Sequence, residues 1–531
     1  MMPTHAPHPP ADIGEVNSFE VASFAIDCAD LRAAFTAASD KAPCIYRRGP
    51  LSDKPGRDET GRDEMLAIGV AYAADAGSPA DEIHSDGADL QVARERLEAV
   101  IAGVDPEFRD AIRMVGWSSF APNYRTAQDR SGDGDLPSWS AFARRQLYIP
   151  QVLVLRRDGG VRALVVADDA ESTWQHWRAV VERTPAPPSR SALSTSHIVG
   201  DAIPPRPQRS EGMGRIKVAD QPAKSPTLIL PTFELQSGEG SFAGRLVSDS
   251  EPSSDSLHAR WLDRDNFRYG VRQVVEERVA PKVVLARRAL VEAAGPIDVG
   301  AVLNALAERY PSCTLFAISP AADNHSDRPV FVGATPERLA RVEDGRVETM
   351  ALAGTARSRP GEPPIAAAER ALLSSTKDRD EHRFVLDMIV EHLRPLCRKL
   401  QVDDELELHR LANVSHLMTT ICGELRDGVG LARVVDALHP TPAVCGTPRQ
   451  RARELIDNFE GYDRGLYAGT FGWMDPKGNG EFDVALRCGL IDGHRALLFA
   501  GAGITADSDV DIELDETRNK FAPLLQAIGR G

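Results

Sequence analysis

Between residues 266 and 528 the chain alternates, with no long gap, between short β-branched runs and stretches of helical periodicity. No other feature constrains the fold as tightly. The runs 282–285 (KVVL), 330–333 and 348–354 are short and apolar, and read as buried strands. Residues 299–310 read as an amphipathic helix. Residues 377–400 read as a long helix, with Ser375 and Asp378 spaced as a capping box. Residues 482–490 and 496–500 read as paired strands around the turn IDGH. Such a mixture implies an α/β protein with a substantial core.

Upstream the texture differs. Residues 1–16 are rich in Pro, His and Ala and are expected to form a mobile tail. Residues 50–63 read as a polar loop, and 90–103 carry helical periodicity. Residues 147–155 and 161–167 flank RRDGG, a hairpin signal. Residues 182–227 are Pro- and Ser-rich and read as a surface excursion or linker. No repeat of fixed period occurs, and 531 residues allow several domains or one large one.

Charge and cysteines exclude whole classes of function. With 62 basic against 78 acidic residues the net charge is -16, and no basic stripe offsets it, so no nucleic-acid partner is expected. The seven cysteines (Cys28, Cys44, Cys313, Cys397, Cys422, Cys445 and Cys488) are scattered and never form CxxC. They read as reduced thiols of a cytoplasmic protein. The first residues lack a secretory pattern, and the apolar stretch 496–506 falls short of the ~20 residues of a membrane span, so no membrane partner is expected either.

Several groups are candidates for chemistry, each with a plainer reading. GAGITA (501–506) fits GxGxxA, but a dinucleotide fold needs a further parallel strand, and the residues up to Gly531 leave no room for it. Gly501 and Gly503 are instead expected to bring backbone N–H groups to an anion at the entry of the next helix. Glu513, Glu516 and Lys520 share one face of that helix, which Pro523 is expected to end or kink. Asp378 and Glu381 repeat the arrangement on the other long helix. The plain reading is two solvated faces; the sharper one is two carboxylate pairs clamping a hard divalent cation. Lys282 is either a snorkelling rim charge or an amine whose pKa burial has lowered. Glu337 is either a carboxylate favouring a helix N-terminus or a reactive acid. His409 and His416 lie two helical turns apart with no third ligand at metal spacing, and read as polar or substrate-contacting histidines. No P-loop, GxSxG or HExxH occurs.

In order, KVVLAR, GATPERL, TMALAGTAR, SSTKDRDEH, VSHLMTTICGEL, LHPTPAVCGTPR, DRGLYAGTFGW, EFDVALRCGLI and LFAGAGITADSD…ELDETRNK run from Lys282 to Lys520. This series resembles the chorismate-utilising enzymes, most closely their isochorismate synthase branch. The likeness extends more loosely to 114–121 (MVGWSSFA), 139–155 and 227–244. LHPTPAV (438–444) and Lys282, where ammonia-using relatives typically carry glutamine, point to that branch. Cys445 departs from it, standing where a second glycine usually precedes Gly446, and is expected to crowd the turn.

The resemblance implies one large α+β domain over 17–531, with extensive, mostly antiparallel sheets, outer helices and a central cleft. The 182–227 stretch then becomes an insertion, and 266–528 holds the catalytic motifs. It implies Mg²⁺-dependent isomerisation of chorismate to isochorismate, in which water adds at C2 and the C4 hydroxyl leaves. Lys282 is implied as general base and Glu337 as general acid. Glu381 and Glu516 are implied as Mg²⁺ ligands, with Asp378 and Glu513 as second ligands or water holders. Gly354, Thr355, His416, Tyr467, Arg487, Gly501, Gly503 and Lys520 are implied to contact the substrate. No glutamine amidotransferase partner is expected, and a monomer or weak homo-oligomer is. The rivals are a salicylate synthase, which also eliminates pyruvate, and a non-catalytic chorismate-binding paralogue. The sequence leaves open whether the product serves menaquinone or siderophore synthesis.

Overall fold

In a computed structural model of the chain, residues 257–320, 329–357, 365–410 and 414–530 are described continuously. Upstream, the described stretches are chiefly 20–25, 30–39, 44–49, 64–68, 72–74, 112–120, 136–139, 145–157, 160–167, 170–182 and 242–243. The expected tail, the 50–63 loop, Cys28 and residues 183–227 of the expected insertion lie outside them. Of the 90–103 helix only Leu90, Arg94 and Ile101 are described, each helical.

The upstream strands are β1 (Glu20–Ala25), β2 (Cys44–Arg48), β3 (Glu64–Ile68), β4 (Tyr72–Ala74), β5 (Met114–Ser118), β6 (Arg145–Ile149), β7 (Val152–Arg157), β8 (Gly160–Ala167) and β9 (Phe242–Ala243). Next come β10 (His258–Trp261), β11 (Lys282–Glu292), β12 (Thr314–Ser319), β13 (Val330–Thr335), β14 (Arg338–Glu343), β15 (Arg346–Arg357) and β16 (Cys397–Val402). The last are β17 (Glu407–Arg410), β18 (Val414–Leu425), β19 (Gly446–Thr447), β20 (Thr470–Met474), β21 (Gly480–Val484), β22 (Cys488–Asp492) and β23 (Arg495–Thr505). They form two antiparallel sheets. The 13-stranded sheet runs β1-β8-β7-β3-β2-β12-β13-β22-β23-β11-β10-β9, with β19 beside β11. The 10-stranded sheet runs β16-β18-β15-β14-β21-β20-β5-β6-β4, with β17 beside β18.

Alternation along the strands explains the layers. On β12, Phe316 and Ile318 enter the core between the sheets, while Leu315 and Ala317 enter a second core beneath outer helices. Both faces of the larger sheet are thus covered, which is why its strands read as continuous apolar runs. The Val510–Ile528 and Val299–Arg309 helices pack on this sheet, and the Thr376–Leu393 helix packs on β15 and β18 of the other. This agrees with the expected α+β fold.

Several boundaries differ from expectation. The long helix ends at Leu393, and Cys397–Val402 is a strand; Pro395, which lacks an N–H, stands between them. Ser375 Oγ accepts the Asp378 N–H at 3.2 Å, but the Ser375 N–H goes to Leu372 O, so only half of the capping box forms. Residues 147–155 and 482–490 are not single strands. Each divides into two that belong to different sheets, at Pro150 and at 485–487. The RRDGG hairpin and the pairing of β22 with β23 do form. The C-terminal helix runs through Pro523 to Ile528. His409 and His416 face each other across β17 and β18 and are not on a helix.

Candidate active site at the sheet crossovers

Glu337 sits where the chain leaves β13 in one sheet and enters β14 in the other. Its helix-terminus reading fails, because a strand follows. Arg487 occupies the return crossover, from β21 to β22, with φ 51°. The two crossovers are tied together. Val484 N–H donates to Glu337 O at 3.0 Å, and Ala334 N–H to Arg487 O at 3.3 Å. Thr335 Oγ1 donates to Val484 O at 2.6 Å and accepts the Glu337 N–H at 3.2 Å. Burial pushes the Glu337 carboxyl up to about 7, against the opposing pull of Arg487, Lys282 and Lys520. The Arg487 guanidinium has no hydrogen-bond or ion-pair partner among the described residues, and part of its surface is open.

Lys282 begins β11 and is 1% exposed. It is no rim charge: Nζ pairs with Glu381 Oε1 at 2.8 Å. Glu381 comes from the helix over the opposite sheet, so this ion pair joins the layers. Gly503 makes room for it, since a Cβ there would lie 2.7 Å from Glu381 Oε1 and 3.0 Å from Lys282 Cε. Gly501 and Gly503 are ladder residues of β23, paired with Ala286 and Val284, and do not form a loop at a helix entry.

The C-terminal helix places Glu516 and Lys520 nearby. Lys520 Nζ pairs with Glu516 Oε1 at 2.7 Å and donates to Gly501 O at 2.8 Å. Glu513, one turn earlier, is buried. The Tyr467 hydroxyl lies against Gly501, its ring stacked on Phe499 with centroids 5.3 Å apart. From the smaller sheet, His416 lies opposite a bulge at Gly354 and Thr355, where Gly354 takes φ +67°. Asp378 packs against Gly354. His416 Nδ1 is 2.8 Å from Gly354 O. Burial and the neighbouring Arg487 hold the ring down to about 3, so it is neutral. Nδ1 must then carry the hydrogen, leaving Nε2 as an acceptor. The Thr355 side chain lies outside the described residues.

The structure therefore brings Lys282, Glu337, Glu381, Arg487, Glu516, Lys520 and His416 within electrostatic reach of one another. The carboxylates are not gathered into a cage: among the described residues no three His, Cys, Asp or Glu side chains surround one point. Cys445 precedes Gly446, which takes φ +128°. The Cys445 side chain is buried, and its carbonyl accepts the Val284 N–H at 2.8 Å.

Some supporting residues were not singled out from the sequence. Arg287, within KVVLAR, is buried and donates to Thr517 Oγ1 at 2.6 Å and Leu514 O at 2.9 Å, holding the helix turn that bears Glu513 and Glu516. Glu460 and Arg464 form a buried pair along β11: Glu460 Oε1 accepts the Ala286 N–H at 2.8 Å, and Arg464 donates to Val284 O at 2.7 Å. The positions of Arg287 inside KVVLAR and of Arg464 inside DRGLYAGTFGW were the available signals.

The chain is similar in sequence and in fold to known proteins. The isochorismate synthase MenF of Bacillus subtilis is 36% identical over 274 residues, 51% of this chain and 57% of that protein. The isochorismate synthase DhbC of the same organism is 38% identical over 273 residues, 50% of this chain and 68% of that protein. The chain thus spans little more than half the length of the first relative. The solved structure of MenF from Escherichia coli, titled the menaquinone-specific isochorismate synthase, has a TM-score of 0.64 at 21% identity, covering 96% of this chain and 94% of that one; it shows a shared fold. Residues 235–529 match the family described as chorismate binding enzyme. With more than half of its length inside that match, and with the paired crossovers lying within it, the chain belongs to the chorismate binding enzyme family.

Proposed function

We propose that the chain is an isochorismate synthase: an isomerase that adds water at C2 of chorismate and expels the C4 hydroxyl. The observation that carries this is the placement of Glu337, a carboxyl held at about 7 by burial, near a buried lysine and an uncommitted arginine. A carboxyl that keeps its proton near neutrality suits the task of protonating a leaving hydroxyl. Lys282 is the base that takes the proton from water. To do so its amine must leave Glu381 and be neutral. Arg487 supplies a fork for a substrate carboxylate, and His416 Nε2 an acceptor for a substrate hydroxyl.

The donors suit Mg²⁺. Glu381 and Glu516 are hard oxygen ligands, 18% and 21% exposed, on helices from opposite layers. Asp378 and Glu513 stand one turn before them. With no preassembled cage, substrate oxygen and water would complete the set, as Mg²⁺ coordination commonly has it. When bound, the ion would neutralise the ring carboxylate. Among the described residues no helix is long and apolar enough to cross a membrane.

The test is incubation of the protein with chorismate and Mg²⁺, followed by product separation. Isochorismate in a reversible mixture with chorismate is expected, with turnover lost in EDTA. Salicylate and pyruvate as the main early products would reject this reading, and full activity in EDTA would reject the metal.

A further inference from the structure

One buried charged cluster has no part in the chemistry above. Arg47, on β2 of the larger sheet, is 4% exposed. It reaches across to β21 of the smaller sheet, where Nε and Nη2 lie 2.8 and 2.7 Å from Asp483 Oδ2. Nη2 also lies 2.5 Å from Glu481 Oε1. Asp483 is fully buried, and its other oxygen is 3.5 Å from Thr314 Oγ1. These charges satisfy one another, which makes the cluster costly to break.

Its position gives it a second consequence. Asp483 directly precedes Val484, the residue that bonds the Glu337 carbonyl through its N–H and the Thr335 hydroxyl through its C=O. Three residues later the chain reaches Arg487. The grip of Arg47 is therefore applied at the root of the crossover that carries one reactive-site group and is bonded to the other.

The geometry points to Arg47 as a positioning residue for the acid step: by holding Asp483 it fixes the crossover that sets Arg487 against Glu337. Residues outside the family match thus tune the site. The inference rests on the reading of Glu337 as the acid.

The groups that set the Glu337 titration are Arg487 in the crossover before β22, Lys282 on β11 and Lys520 on the C-terminal helix. Those facing the cluster, besides Arg47, are Arg338 and Arg341 on β14. If the crossover loosens, Glu337 loses part of the attraction of Arg487 and its burial-raised titration moves further up. The test follows the Glu337 carboxyl band by difference infrared spectroscopy, assigned by subtracting the Glu337→Gln protein. Wild-type protein is expected to titrate at about 7. Arg47→Met should move the midpoint up by ~0.5–1 pH unit, the scale of a weakened nearby charge. Arg47→Lys, which keeps the charge but not the two-point grip, should fall between. Arg156→Met, which breaks the 2.8 Å Arg156–Glu64 pair elsewhere in the same sheet, should leave it in place.

An unmoved midpoint in folded Arg47→Met, or an equal shift in Arg156→Met, overturns the inference. If Arg47→Met does not fold by circular dichroism, Arg47→Lys decides by the same criterion. If wild-type protein converts no chorismate, the functional reading falls, while the infrared comparison still decides the anchor.

Discussion

Glu337→Gln should abolish most turnover and yet stabilise the fold in alkaline solution. Folding moves this carboxyl from 4.5 to about 7, because burial penalises the ionised form more than Arg487, Lys282 and Lys520 favour it. Below pH 4.5 the group is protonated in both folded and unfolded chains and costs nothing. Between 4.5 and 7 the unfolded chain releases its proton first, and stability is lost as pH rises. Above 7 the loss is complete. At ~1.4 kcal/mol per pH unit it amounts to ~3 kcal/mol, an upper bound because part of the residue meets solvent. Glutamine is isosteric and neutral, so it escapes this penalty. The stability difference between variant and wild type should be close to zero near pH 4.5 and favour the variant by ~1–3 kcal/mol at pH 8. Urea denaturation followed by circular dichroism from pH 4.5 to 8 measures it, with chorismate turnover assayed on the same samples. A difference that does not change with pH, or a variant less stable at pH 8, would show that Glu337 is not held protonated by its surroundings.

Lys282→Ala should still bind chorismate in an Mg²⁺-dependent way while kcat falls ~10²-fold or more, the usual scale for a lost general base. In the wild-type pH profile turnover should fall on the alkaline side as Glu337 loses its proton above about 7; near-normal turnover in Lys282→Ala rejects the base. Glu381→Gln and Glu516→Gln should each weaken Mg²⁺ binding strongly by calorimetry. Asp515→Asn should not, because that carboxylate is engaged with Arg518 at 2.8 Å, away from the site; equal losses at all three would mean that surface charge alone attracts the ion. Arg464→Met should cost ~3–5 kcal/mol in urea denaturation by leaving buried Glu460 without its partner, and adding Glu460→Gln should recover part of the loss. An unchanged denaturation midpoint in the single variant would contradict that role.

What the sequence made legible was local. KVVL and the β-branched runs after it are strands because their side chains suit two covered faces, and periodicity reports that directly. It does not report which sheet a strand joins. The stretch 482–490 reads as one strand because its apolar pattern continues across Ala485 and Leu486; only the contacts of Gly480–Val484 with β20 and β14, and of Cys488–Asp492 with β13 and β23, reveal the change of sheet. The same blindness placed Glu337 at a possible helix terminus and His409 and His416 on helix spacing. The buried charges were the least legible. Nothing near Arg47 in sequence announces Asp483, 436 positions away, because the partner is supplied by the meeting of two sheets.

That meeting also explains how an acidic chain can offer a pocket to an anion. Lys282 comes from the larger sheet and Glu381 from the helix over the smaller one, while Lys520 and Glu516 share the C-terminal helix. Among these four the charges cancel in pairs, so together they set up no large field of either sign. Beside these four stands Arg487, whose guanidinium has no ion-pair partner among the described residues, and one guanidinium does not balance a dicarboxylate. A divalent cation arriving with the substrate would restore the balance, and in claiming Glu381 and Glu516 it would release the two lysines from their present partners. Lys282 freed beside the reacting ring would then be available to the water it must deprotonate. On the proposed reaction, the ion pairs present in the chain by itself would be the resting form of the charge arrangement.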